Sequence, residues 1–229
     1  MSPPQKPSLR SVLPSGGKKL SGRPGEFLES SVVDPARAPQ AAALREHTLD
    51  SEMVFRGNFL NVARDLVRLP NGVQATREYI RHSGAVMVIP LLDNGNVLME
   101  RQFRTPMQRV MVEFPAGKLD AGESWLACAQ RELREETGYS ARQWAYIGPI
   151  NNAISYSDEI IHLAVARGLV AGEQALDDNE VLDVFEASPQ DVLEWVRQGF
   201  ITDVKTVIGA FWLEKLLQNT WNVDWKDVG

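Results

Sequence analysis

The chain has 229 residues and an apolar content of 44%, enough for one ordinary domain with extensions and a real core. Its formal net charge of −6 argues against a broad nucleic-acid-binding face, and no run approaches the roughly 18 apolar residues of a membrane span. A single cysteine, Cys128, excludes an intramolecular disulfide framework and a Cys-rich zinc site, and predicts a reducing, cytoplasmic setting.

Residues 1–48 are rich in Pro, Gly, Ser and Ala, carry the basic cluster Lys18, Lys19 and Arg23, and show neither a helical nor a strand period. Such a segment cannot bury enough apolar surface to offset its ordering entropy, which predicts a disordered tail. It lacks the apolar stretch of a secretory signal. Over residues 49–82 the pattern becomes β. Met53–Arg56 leads into Phe59–Leu69, the turn residues Pro70, Asn71 and Gly72 follow, and Thr76–Arg81 returns as a strand. A small antiparallel sheet is expected there.

The main domain is expected over residues 83–229. Ala85–Ile89 is a continuous apolar strand, Asp93-Asn94-Gly95 forms a hairpin turn, and Val97–Phe103 is the next strand. After a helix over Ser124–Thr137, strands are expected near Trp144–Ile147, Ile160–Ala166 and Val181–Glu186. Ser188 before Pro189 caps a helix to about Gln198, and Asp203 caps another to about Gln218. Strands mixed with a few helices, without regular βαβ alternation, predict an α/β (α+β) sandwich whose mixed sheet is covered by helices.

The chemistry lies in Gly117–Tyr139. Leu126, Ala129, Leu133 and Thr137 recur at helical steps and predict the core-facing stripe. Glu132, Glu135 and Glu136 share another face at i, i+3 and i+4. Like charges so close, near the negative end of the helix dipole, destabilise the bare helix and call for a positive partner. Oxygen-rich clusters suit Mg²⁺ or Mn²⁺. Taken alone, the run also fits a solvated acidic face with Arg131 and Arg134 in surface ion pairs.

The full spacing, Gly-x5-Glu-x7-Arg-Glu-Leu-x-Glu-Glu-x-Gly, resembles the box of the Nudix hydrolase superfamily, with Tyr139 at the final position where a bulky aliphatic is usual. The resemblance implies an αβα sandwich that carries Mg²⁺ on a loop–helix–loop. It implies Glu132 and Glu136 as principal metal ligands, Glu135 as a further or water-mediated and catalytic one, and the Ala116 carbonyl as a backbone ligand. Glu123 and Arg131 would orient the ligating glutamates.

The resemblance runs from about Met53 to the last helix. Arg77–His82, Ala85–Pro90, Val97–Arg104, Glu113–Gly117 and Ser157–His162 are similar to the ADP-ribose pyrophosphatase branch, whose members are typically homodimers that exchange N-terminal sheets. By that likeness Arg77, Arg104 and Glu113 are candidates for substrate contact, guanidinium suiting phosphate by its planar fork. Phe55 or Phe59 of the partner subunit would stack on the base. Glu180, in an acidic loop after the sheet, is the candidate general base. The branch's Pro-Gly pair downstream of the box is replaced by Asn151–Glu159, which alters the loop beside the terminal sugar. The implied activity is Mg²⁺-dependent hydrolysis of ADP-ribose to AMP and ribose 5-phosphate. A GDP-mannose or other nucleotide-sugar hydrolase, and a nucleotide-sensing module without catalysis, are the alternatives; intact Glu132, Glu135 and Glu136 favour the enzyme.

Overall fold

The computed structural model describes residues 43–177 and 179–228. Most of the segment expected as a tail, with Lys18, Lys19 and Arg23, lies outside them. The first strand, β1 (His47–Arg56), begins before Met53 and takes in His47 and Thr48. It pairs antiparallel with β2 (Asn61–Arg68), which pairs with β3 (Gln74–Arg81), so residues 47–81 form a three-stranded sheet. Its turn places Gly72 at φ +86, a left-handed conformation that Gly adopts without strain.

The second sheet has the order β10-β5-β4-β9-β8-β11, with β6 on β5 and β7 on β4. The strands are β4 (Ala85–Leu91), β5 (Val97–Arg104), β6 (Arg109–Glu113), β7 (Ala116–Lys118), β8 (Tyr139–Ile150), β9 (Ile161–Ala171), β10 (Leu182–Ala187) and β11 (Lys226–Asp227). Only β4 and β9 run parallel; the other pairs are antiparallel, so the sheet is mixed.

Among the described residues three helices cover it: α1 (Trp125–Thr137), α2 (Pro189–Arg197) and α3 (Val204–Leu217). The alternation of β4 explains the layering, because successive side chains of a strand point to opposite faces. Val86 and Val88 pack with Cys128, Ala129 and Leu133 of α1. Met87 and Ile89 pack on the other face with Val192, Ala210 and Leu213 of α2 and α3. Burial on both faces is why Ala85–Ile89 reads as an unbroken apolar run. Gly209 lets α3 approach closely: a Cβ there would sit 3.0 Å from Met87 and Phe114.

The caps expected at Ser188 and Asp203 are present, and Ser124 caps α1 as well. Ser124, Ser188 and Asp203 accept hydrogen bonds from the amides of Ala127, Asp191 and Thr206, which satisfies amides that helix N-termini leave free. Gly138 ends α1 at φ +77. The small sheet is tied to the main domain through the loop after β8. The Ile80 amide donates to the Tyr156 carbonyl at 2.9 Å, and Arg81 pairs with Asp158 at 3.0 Å.

Candidate active site

Helix α1 presents two different faces, as its sequence requires. Ala129 and Leu133 are fully buried against the sheet. Glu132 and Glu136 are also buried, on the side that meets β7. The Ala116 amide donates to Glu136 Oε2 at 2.9 Å. Glu132 lies over Gly117, where a Cβ would sit 1.8 Å from the carboxyl carbon of Glu132. The box glycine is thus the cradle of a box glutamate.

Arg131 holds this face together. It donates to both carboxylate oxygens of Glu123 at 3.0 and 2.9 Å, to Glu132 at 2.7 Å, to Glu135 at 3.3 Å and to the Lys118 carbonyl at 3.0 Å. Hydrogen bonds from Arg131 hold the Glu123 carboxyl down to about 2. Burial pushes the Glu132 carboxyl up despite Arg131. Burial, followed by the charges of Glu100, Glu132 and Glu180, pushes Glu136 up more strongly. Cys128 is fully buried, and burial raises its thiol, which suits an inert packing residue.

Opposite α1 stands a buried ionic cluster. Arg104 grips Glu113 through two bonds of 2.7 and 3.0 Å. Lys205, in the first turn of α3, bonds to Glu113 and to Asp203, the latter at 3.0 Å. Burial opposes the charge on Glu113, but Arg104 and Lys205 outweigh it and hold its carboxyl below the ordinary value. Glu100 is fully buried, and neither of its carboxylate oxygens has a hydrogen-bond partner among the described residues.

Between these walls is a cavity of about 530 Å³, within the range of roughly 300–1,000 Å³ usual for small-molecule sites. Its lining includes Arg104, Ala116, Arg131, Glu132, Glu135, Glu136 and Glu180. Glu180 arrives on the loop between β9 and β10. The Ala175 amide of that loop bonds to the Glu135 carbonyl at 3.0 Å. Phe59 also lines the cavity, its ring under Lys118 Nζ at 4.6 Å and edge-on to His82. Asn152 and Glu159, from the loop without the Pro-Gly pair, close another side.

Not every candidate residue reaches this cavity. Glu113 and Glu123 stand behind its lining, bonded to Arg104 and Arg131. Arg77 lies outside it on β3, paired with Glu46 at 2.6 Å. Phe55 is outside it as well and 53% exposed. Lys205, Gln102 and Glu100 were not singled out from sequence, and Asp203 was read only as a helix cap. A signal existed for two of them: Glu100 interrupts the apolar run Val97–Met99, and Lys205 sits in a first helical turn, where the dipole disfavours a cation.

The donor set fits a divalent cation. Two unpaired, buried oxygens on Glu100 and a second buried carboxylate at Glu136 call for compensating charge. Among the described residues no three His, Cys, Asp or Glu side chains already converge at ligating positions. Glu132 is instead turned to Arg131, and Glu136 to the Ala116 amide.

A carboxylate-lined cavity beside basic side chains, on a mixed sheet between helices, can take a divalent cation together with an anionic substrate. The chain belongs to the Nudix hydrolases: the NUDIX domain family matches residues 81–204, and residues 46–80 match the nucleoside diphosphate sugar hydrolase N-terminal domain. The chain is 40% identical over 171 residues to the methanol dehydrogenase activator of Bacillus methanolicus, covering 74% of this chain and 92% of that protein. It is 37% identical over 174 residues to the ADP-ribose pyrophosphatase of Bacillus subtilis, covering 75% and 94%. A crystal structure of an ADP compounds hydrolase shares the fold, with a TM-score of 0.70, 24% identity, and coverage of 77% of this chain and 96% of that one. Members of the family generally use a divalent metal.

Proposed function

We propose that this protein hydrolyses ADP-ribose to AMP and ribose 5-phosphate with Mg²⁺, Mn²⁺ being able to replace it. The observation that carries the reading is the meeting, in one cavity, of Glu132, Glu135 and Glu136 from the box with Glu180 from a separate loop. The relative from Bacillus subtilis named ADP-ribose pyrophosphatase supports the choice of substrate.

Glu132, Glu136 and the Ala116 carbonyl would hold the metal, with Glu135 as a further ligand. Bound there, Mg²⁺ would neutralise the diphosphate and lower the pKa of a water. Arg131 orients Glu132 and keeps Glu123 ionised beside it. Arg104, steadied by Glu113, offers a guanidinium to the substrate's phosphates. Phe59 offers an aromatic face to the adenine. Water attacks one phosphorus, the bridging P–O bond breaks, and the water's proton passes to Glu180.

The protein is assigned to the cytoplasm and acts as a homodimer in this reading. Val54 and Phe55 of the small sheet, Leu60 in its first turn, and Phe103, Met107 and Val110 are exposed apolar side chains that a second copy would cover. Arg77 and Phe55, outside the cavity of their own chain, are assigned to the site across that interface.

The test is incubation with Mg²⁺ and a panel of ADP-ribose, GDP-mannose, other nucleotide sugars and dinucleotides, with products identified and kcat/KM compared. AMP and ribose 5-phosphate, with ADP-ribose the preferred substrate, are expected. Preference for GDP-mannose would overturn the substrate assignment, and turnover of none of them would overturn the activity.

A further inference from the structure

We infer that Glu100, a residue of β5 outside the Nudix box, is an interior carboxylate of the metal centre that shares a divalent cation with Glu136. The inference rests on the reading of the cavity as a metal site and adds a ligand to it.

The first observation is the isolation of Glu100. It is 0% exposed, and its two oxygens are the only buried side-chain nitrogen or oxygen atoms without a partner among the described residues. A carboxylate taken from water without a partner is strongly disfavoured, so the folded protein must supply a proton or a cation.

The second is direction. Side chains two apart on a strand share a face. Gln102 and Arg104 line the cavity, and Glu100 precedes them on the same face of β5. Val97 and Met99 point the other way, into the core with α2 and α3. Across the ladder Glu100 pairs with Glu113, and directly opposed residues lie on one side of a sheet. Glu100 is therefore at the floor of the cavity, below the residues that line it.

The third is the distribution of positive charge. Arg104 and Lys205 are committed to Glu113, and Lys205 also to Asp203. Arg131 is committed to Glu123, Glu132 and Glu135. Glu136 accepts the Ala116 amide, and among the described residues no ion pair joins it or Glu100 to these cations. Two buried carboxylates at one cavity, Glu136 with a single neutral donor and Glu100 with none, suit a hard divalent cation, which takes several oxygen ligands.

The experiment titrates the full-length, metal-free protein with Mn²⁺ and follows free Mn²⁺ by electron paramagnetic resonance. Wild type, Glu100→Gln, Glu100→Met and Glu136→Gln are compared, and melting temperatures are read with and without Mn²⁺. Glu100→Gln keeps the size of the side chain, so it tests the charge even if the Met variant folds poorly. Both Glu100 variants are expected to bind Mn²⁺ at least about tenfold more weakly, or with one ion fewer. Glu100→Met is expected to melt higher than wild type without metal and to gain less from Mn²⁺. Unchanged Mn²⁺ affinity and stoichiometry in Glu100→Gln, with binding weakened in Glu136→Gln, would overturn the role of Glu100 alone. No binding by wild type, or unchanged binding in Glu136→Gln, would overturn the metal-site reading beneath it.

Discussion

The carboxylate of Glu132 rests on the bare α-carbon of Gly117. A Cβ at Gly117 would lie 1.8 Å from Cδ of Glu132 and 1.9 Å from Oε1. Strand β7 and helix α1 therefore meet through a glycine and a glutamate rather than two packed side chains.

That contact separates stability from function. In Gly117→Ala the clash is with the end of a flexible side chain, so Glu132 swings away and the fold survives. The expected cost is under about 1 kcal/mol of stability, while kcat/KM falls by about a hundredfold because a proposed metal ligand is misplaced. Urea unfolding and steady-state kinetics on the same preparation check both. Unaltered kinetics would show that the position of Glu132 does not matter.

Arg131→Lys keeps the charge and loses the fork that grips Glu123, Glu132 and the Lys118 carbonyl together. A lysine cannot reproduce that planar arrangement. Divalent-metal affinity is expected to fall roughly ten- to hundredfold, measured by calorimetry. Wild-type affinity in the variant would contradict the orienting role.

Stability of the metal-free protein should depend on pH in a defined direction. Burial, followed by the charge of Glu113 on Glu100 and of Glu100 on Glu136, raises both carboxyls above their ordinary value of 4.5. Their neutral forms cost nothing below that value, where folded and unfolded chains are both protonated. As pH rises through the raised folded values, the unfolded chain ionises freely and the folded one does not, so stability is lost. A divalent cation replaces the protons, so the rise in Tm caused by Mg²⁺ should be larger at about pH 9 than at about pH 6. An equal rise at both would contradict the pairing of buried carboxylates with metal.

Lys205→Met removes one of the two cations on Glu113 and one partner of Asp203. Breaking a buried ion pair leaves a charge uncompensated. Because Arg104 stays on Glu113, the expected loss is about 2–3 kcal/mol, read from the midpoint of urea denaturation. A loss below about 0.5 kcal/mol would mean that Arg104 alone satisfies Glu113.

The parts of this molecule that follow a strict local rule could be read before any coordinates. Helix α1 has a capping serine, a terminal glycine and a helical apolar stripe, and it lies where those signals put it. The central strand β4 is apolar on both faces and equally plain. Strands β6 and β7 were not anticipated: Arg109–Glu113 is short, and Ala116–Lys118 carries the glycine that reads as loop. Strand β8 starts at Tyr139, well before Trp144, because its first residues are half exposed and lack a continuous apolar run. The same limit applies to the site. Spacing along one helix identifies Glu132, Glu135 and Glu136. The ion pairs of Lys205 and Glu113, 92 positions apart, and the isolation of Glu100 depend on sheet register, which no local pattern encodes.

The central claim is that carboxylates of α1 hold the divalent cation that drives cleavage of ADP-ribose. Its most direct test is the rate of AMP release from ADP-ribose at saturating Mg²⁺ by wild type and by folded Glu136→Gln. The account predicts that the wild type turns over and the variant is slower by about a thousandfold. Turnover by Glu136→Gln within about twofold of wild type would contradict it.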